Sequence, residues 1–277
     1  MKFSQVERHN SNKQARSTWE NKAVGSHRAQ ADAGTAEYFS QIREYRYGYE
    51  TPFIPEVFQY KTLKDKRVLE VGVGNGIDAV EMLRNGACYS GIDITENHLK
   101  LTNRYVELER KAGRIMNVEE IAKGDLLEYD LTGNYNVIYS FGVLHHIAHE
   151  EEILKRLKSL LAENGELRIA VYARFSFFNI WMIATWIYRN RMKNSLPDWQ
   201  SHLAEGSALG NPVVIKLRNR SEIQSMLENT GFTVVQYAKK GFVQGYIPFL
   251  GKYLDPNGWI LNKLASVLGW YHCFTCR

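Results

Sequence analysis

The chain has 277 residues, 44% hydrophobic and 23% charged, with a net charge of +5. That balance excludes a disordered, collagenous or disulfide-framed chain, and the length suits one well-cored domain with elaborations. Lys and Arg are scattered among acids rather than gathered in blocks, so nucleic acid is not expected as a partner.

Taken in chain order, the opening MKFSQVERHNSNKQ lacks the apolar core of a signal peptide, which places the expected location in the cytoplasm. Residues 1–60 then turn rich in aromatics and arginine and read as a helical lid. From Lys66 short apolar runs alternate with helical patterns, the texture of βαβ units and a parallel sheet. Arg67–Val71 is the first strand, the GVGNG turn follows, and Ile77–Arg84 is the helix behind it. Cys88–Ile94 and Glu96–Lys111 form the second strand and helix, Val118–Lys123 the third strand and Tyr135–Ser140 the fourth. Glu150–Leu161 reads as a helix stopped by ENG, and Glu166–Tyr172 as the fifth strand.

Residues 173–220 are a cap insertion, nearly fifty residues where the minimal fold needs only a link and a helix. Ser221–Asn229 is a helix with Ser221 as its N-cap, Phe232–Tyr237 a sixth strand, and GWYHCFTCR a seventh. Residues 221–277 thus complete the core of residues 61–172, with a further cap excursion between. The prediction is an α/β, Rossmann-like, seven-stranded, mostly parallel sheet with helices on both faces. Cys88, Cys273 and Cys276 give no disulfide framework. One CxxC lacks the ligands of a structural zinc site, so no metal is expected.

The chemistry centres on Glu70-Val-Gly72-Val-Gly74-Asn75-Gly76 and on Asp93 at the end of the next strand. Glycines at a strand-to-helix turn let the backbone approach a ligand without a Cβ clash. An acid about twenty residues on can accept both hydroxyls of a ribose. The GxGxG spacing differs from the GxGxxG that seats a dinucleotide pyrophosphate. Gly124-Asp125-Leu126 and Ser140-Phe141-Gly142-Val143-Leu144-His145-His146 follow the third and fourth strands, where ligands of open α/β sheets bind.

These residues, with VLEVGVGNG, GIDIT, GDLLEYD, YNVIYSFGVLHHI and NGELRIAVY, resemble class I S-adenosylmethionine-dependent methyltransferases over residues 61–172. The resemblance implies S-adenosyl-L-methionine as cofactor. It would pass Gly72, Gly74, Asn75 and Gly76 under the methionine part, set Glu70 near its amino group and Asp93 on the ribose. Ile94 would pack on adenine, Asp125 and Leu126 would meet its edge, and Ser140, Phe141 and Gly142 would line the substrate side. Asp78 either contacts the cofactor or favours its helix N-terminus. Trp19-Glu20, Gly25-Ser26-His27 and Tyr38-Phe39 leading to Arg43, Arg46 and Tyr47 resemble a bacterial subgroup whose leading helices close over the cofactor. Arg46 and Tyr47 are accordingly lid candidates.

A sulfonium methyl needs alignment and dry surroundings more than activation. For a hydroxyl acceptor a base helps, and His145 or His146 stands where one is needed. The other reading of the pair is that it caps the following helix or packs beneath it. His149 is expected on an exposed helix start, and His27 and His202 are outside candidates.

Phe175–Tyr188 is apolar on every side of a helical projection. It packs against Phe242–Leu250 and the lid, or it forms a greasy acceptor site or a membrane contact edged by Arg189, Arg191 and Lys193. Trp199, His202 and residues 206–210 read as a mobile loop. The leading expectation is O-methylation of a small or lipid-linked molecule, such as a sugar or secondary metabolite. N- or C-methylation, an idle cofactor-binding module and a nicotinamide oxidoreductase are the alternatives.

Overall fold

The computed structural model describes residues 16–20, 23 and 25–277; the opening segment examined for a leader lies outside them. Seven strands form one sheet in the order β3-β2-β1-β4-β5-β7-β6. They are β1 (Arg67–Val71), β2 (Cys88–Asp93), β3 (Val118–Lys123), β4 (Tyr135–Phe141), β5 (Leu161–Tyr172), β6 (Val234–Lys240) and β7 (Tyr271–Cys276). β1 to β5 pair in parallel, and β7 inserts antiparallel between β5 and β6.

Side-chain alternation sorts the core onto the two faces of the sheet. Val68 joins the cluster built with α1 (Ala36–Tyr45), α3 (Ile77–Arg84) and α4 (Glu96–Lys111), while Leu69 and Val71 face α5 (Glu150–Leu160) and α8 (Arg220–Asn229). The one-turn α2 (Ile54–Val57) lies between α1 and β1. Strand order reverses between β1 and β4, so their carboxyl ends open a crevice at the switch point. Cys273 and Cys276 fall in opposite core clusters, and burial pushes both thiols up. Three residues apart on a strand, they cannot share a ligand.

Two helices, α6 (Phe177–Tyr188) and α7 (Leu196–Glu205), fill the excursion after β5, and α9 (Trp259–Leu268) fills the one before β7. Several expectations are corrected here. β5 starts at Leu161, not Glu166, because Leu161 pairs with Tyr135 before a bulge through Asn164, whose φ is 62°. The cap of α8 is Asn219, not Ser221: its side chain and Glu222 satisfy each other's backbone donors. His149 is buried rather than exposed. Residues 206–210 are pinned, with Asp198 accepting from the Gly210 N–H at 2.9 Å and Ser201 paired with Ser207 at 2.8 Å. Only Asn179 and Met182 of α6 are fully buried, so close packing does not account for its apolar surface.

Candidate active site

The turn after β1 depends on glycine. Gly72 has φ +81°, and a Cβ there would sit 2.3 Å from the Val143 Cγ2. At Gly74 and Gly142, across the crevice, an added Cβ would meet nothing within 4 Å. The two turns thus form a cradle that side chains would fill and a ligand can occupy. Asp93 faces it from the end of β2, accepting from the Gly74 N–H at 3.1 Å, the Thr95 N–H at 2.9 Å and the Thr95 hydroxyl at 2.8 Å. Burial acts to raise its pKa, but hydrogen bonds from His98 and Thr95 outweigh it and hold the carboxylate ionised. Asn75 is buried in the turn. Asp125 folds back onto the Leu127 N–H at 2.9 Å, with Leu126 buried beside it and Ile94 half-buried across from them.

Glu70 points into the sheet, where the Tyr89 hydroxyl donates to it at 2.5 Å. Burial and the neighbouring Asp78 carboxylate push its pKa well above the usual range, favouring the neutral acid. Ser140 is likewise turned inward, donating to the Val71 carbonyl at 3.1 Å.

Asp78 serves the lid. The Arg46 Nε donates to its Oδ1 at 2.7 Å and Arg46 Nη2 to Oδ2; the Tyr47 hydroxyl donates at 2.6 Å and the Tyr139 hydroxyl at 2.8 Å. Burial works against the charge, but the Arg46 guanidinium and these hydroxyls hold the carboxyl below its ordinary range. The Tyr47 hydroxyl is thereby directed at Asp78. The Phe141 ring lies under Arg46, 5.0 Å from its guanidinium, and 4.7 Å from the Tyr271 ring.

Trp19 and Glu20 strap the crevice. Glu20 accepts from the Glu96 and Asn97 N–H groups at 2.9 and 3.0 Å, satisfying the open end of α4. Its neighbour Trp19 lays its ring edge-on to His146, with centroids 4.9 Å apart.

The histidines lie beyond β4, and the cap closes on them. The His146 Nδ1 is 2.7 Å from the Val214 carbonyl. A carbonyl only accepts, so Nδ1 carries a proton and, in the neutral ring, Nε2 holds the lone pair. That lone pair faces Glu205 Oε1, at the end of α7, across 3.7 Å. Oε1 has no hydrogen-bond partner, and neither ring nitrogen of His145 has one. Burial, then His146 and Arg218, push His145 well below the usual histidine range, so it stays neutral. The Tyr172 ring stacks on His145 at 3.7 Å, and burial and Glu205 push its phenol up. Burial also raises Glu50, against the pull of Arg46 and Arg28.

Ligand-type atoms of His145, His146 and Glu205 lie within 4.8 Å of one another. Two imidazoles and a carboxylate can either move a proton or hold a divalent ion. The motifs of the βαβ core thus surround one crevice, whereas His27 is exposed and His202 is bonded to the Ser207 carbonyl at 2.8 Å. Sequence reasoning missed Glu205, Glu50 and Tyr172. Tyr172 had a signal, since it ends β5 where such sheets place ligands. Glu205 had none, being brought in by the cap from 59 residues along the chain.

A family model described as a methyltransferase domain matches residues 41–237. Juvenile hormone acid O-methyltransferase of Bombyx mori is 24% identical over 182 residues, covering 64% of this chain and 60% of that protein. Ubiquinone biosynthesis O-methyltransferase of Acinetobacter baylyi is 32% identical over 108 residues, 38% of this chain and 43% of the relative. The chain therefore matches about half the length of these curated relatives. Magnesium protoporphyrin IX methyltransferase from Synechocystis PCC 6803, solved with bound SAH, superposes with a TM-score of 0.58 at 11% identity, covering 98% of this chain and 97% of that one.

Proposed function

The chain belongs to the methyltransferase-domain family, and from that membership we propose that it methylates a hydroxyl on an apolar small or lipid-linked molecule. The observation that carries this reading is the His146 lone pair turned towards the Glu205 carboxylate, beside the glycine cradle. The Nε2 lone pair of the neutral ring and Glu205 Oε1, 3.7 Å apart beside the Tyr172 phenol, suit a hydroxyl entering to donate.

The residues present fit S-adenosyl-L-methionine. Gly74 and Gly142 leave room for its backbone-hugging part, Gly72, Asn75 and Gly76 shape the turn that carries it, Asp93 offers ionised oxygens to a ribose, and Ile94, Asp125 and Leu126 border the place for adenine. When bound, that cofactor supplies an electrophilic sulfonium methyl. His146 Nε2 takes the proton that the acceptor hydroxyl gives up, the Val214 carbonyl orients the ring through Nδ1–H, and Glu205, on the Nε2 side, stabilises the imidazolium that forms. Trp19, Tyr172 and the cap exclude water. Asp78 acts through the lid rather than by touching the cofactor.

The acceptor is neutral and apolar for two reasons. Tyr172, Trp270 and Tyr271 give the site aromatic walls. Glu50 and Glu205 both act on the ionisation of Tyr172, so a carboxylate acceptor would face two acids. A cap face turned to a lipid surface suits such a molecule.

The test is transfer of a labelled methyl group from S-adenosylmethionine to matched apolar alcohols, phenols, amines and acids. Ethers are the expected product, formed some 10²–10⁴-fold more slowly by His146→Asn. Label confined to amines would move the reading to N-methylation, and stabilisation by NAD but not by S-adenosylhomocysteine would overturn the class of cofactor. Loss of activity on chelation, restored by a divalent cation, would replace the proton role of His146 by ligation.

A further inference from the structure

Among the described residues sixteen large hydrophobic side chains are exposed, and twelve of them lie in residues 174–193 and 239–268. These two segments hold eight Lys and Arg and one acid, Asp255. Their net +7 exceeds the +5 of the whole chain, so the remainder carries −2. The feature is one face, not two. Lys239 Nζ donates to the carbonyls of Phe175 at 2.6 Å and Val267 at 2.5 Å, fixing the start of α6 against the end of α9. Beneath, Phe177 packs with Tyr246, Leu261 and Ala265.

What points outward is regular. On α6 it is Ile180, Trp181, Ile187 and Tyr188; on α9 it is Trp259, Ile260, Lys263 and Val267. Between them the loop tip raises Phe249, 90% exposed, with Leu250 at 68% and Tyr253 at 77%. Lys252 and Lys263 lie 4.9 Å from the ring centres of Tyr253 and Trp259, respectively.

We propose that this face docks on an anionic lipid bilayer. Aromatic rings and leucines enter the headgroup boundary while lysine and arginine meet lipid phosphates, the division seen in interfacial helices. A second copy is the poorer occupant, because two net-positive faces would repel. No helix among the described residues is long and apolar enough to cross a membrane, so the contact is peripheral.

The face also leads inward. Ring centroids step from exposed Trp181 to Phe178 (5.7 Å), Trp270 (5.0 Å), Tyr172 (4.3 Å) and His145 (3.7 Å). Buried Trp270 and Tyr172 thus join the face to the histidines, and an apolar acceptor dissolved in the bilayer would reach them where these rings part. That last consequence rests on the methyl-transfer reading; the docking does not.

The full chain is sedimented with vesicles of phosphatidylcholine alone and of phosphatidylcholine mixed with phosphatidylglycerol, with neither cofactor nor acceptor present. Binding is expected to the mixed vesicles only and to weaken as salt rises. Lys252→Gln with Lys263→Gln should weaken it about 25-fold, near five-fold per charge. The triple variant Phe249→Ser, Leu250→Ser, Trp259→Ser, all exposed, should keep its melting temperature and lose binding. No sedimentation of the unaltered chain, equal binding to both vesicles, or full binding by the triple variant overturns the proposal. So does a dimer in solution that the triple variant dissociates. Because no methyl transfer is measured, failure here leaves the proposed reaction standing, and failure of that reaction leaves the docking standing.

Discussion

Asp78→Asn tests whether the lid is held by charge. Asp78 accepts four hydrogen bonds, two of them from Arg46, whose side chain is 16% exposed. The amide keeps one acceptor oxygen and turns two donors towards groups that are themselves donors. Arg46 is left as a buried, unpaired cation, which costs about 3–5 kcal/mol. Tyr47→Phe removes one hydrogen bond to a charged group and should cost about 1.5–3 kcal/mol. Replacing both charges by apolar residues, Arg46→Met with Asp78→Leu, should recover much of the loss, since no unpaired ion remains. Urea unfolding followed by tryptophan fluorescence reads the stability, and calorimetry with S-adenosylhomocysteine reads the site. A loss under about 1 kcal/mol for Asp78→Asn would refute the clamp. Affinity that collapses with stability intact would return Asp78 to the cofactor.

Asp93→Ala should weaken S-adenosylhomocysteine about 100-fold or more by calorimetry, because a buried diol loses two hydrogen bonds to a charged acceptor. Gly142→Ala, with φ +77° and open space at its Cβ, should lower stability by only about 1 kcal/mol while blocking the cradle, so affinity falls and the melting temperature of the free protein barely moves. His272 on β7 is driven by burial from 6.5 to about 4, with the Tyr237 hydroxyl 2.8 Å from its Nδ1. Its folded pKa is depressed, so below about pH 6.5 the unfolded chain binds a proton that the fold refuses until about pH 4, and stability falls across that window by up to about 3 kcal/mol. His272→Phe should flatten the urea midpoint against pH between those values; an unchanged slope would contradict the buried neutral ring.

The βαβ core was readable because its inner parallel strands, such as β1 and β4, are near-continuous apolar runs covered on both faces; β1, α3, α4 and the half-exposed edge strand β3 begin and end at the residues expected of them. Boundaries failed where a backbone detail decided. Asn164 in a positive-φ bulge lets β5 pair five residues early, and Asn219 caps α8 through a reciprocal bond with Glu222, three residues on, whereas Ser221 lies inside the first turn. Within the site, motif residues at strand ends were visible from spacing. The partners that give them chemical roles were not: Val214 sets the His146 tautomer and Glu205 faces it, both from the cap, and Trp19 and Glu20 arrive from before the first strand. Such contacts follow from tertiary packing and leave no periodic trace.

α6 illustrates the same limit from the other side. Its sequence is apolar around the whole helix, which ordinarily means burial in a core. The structure instead divides that surface: Phe178 and Met182 pack with Trp270, while Ile180, Trp181, Ile187 and Tyr188 stand in water. At about 25 cal/mol for each Å² of apolar area, water is an expensive neighbour for four such side chains. If only stability mattered, polar residues there would serve the fold as well or better. In the first cap Glu205 of α7 stands at the histidines, while Arg189, Arg191 and Lys193 lie at the outer face with Lys252 and Lys263. On the proposed reading, a greasy and basic outer surface over an aromatic interior suits a neutral apolar acceptor that arrives from an anionic interface.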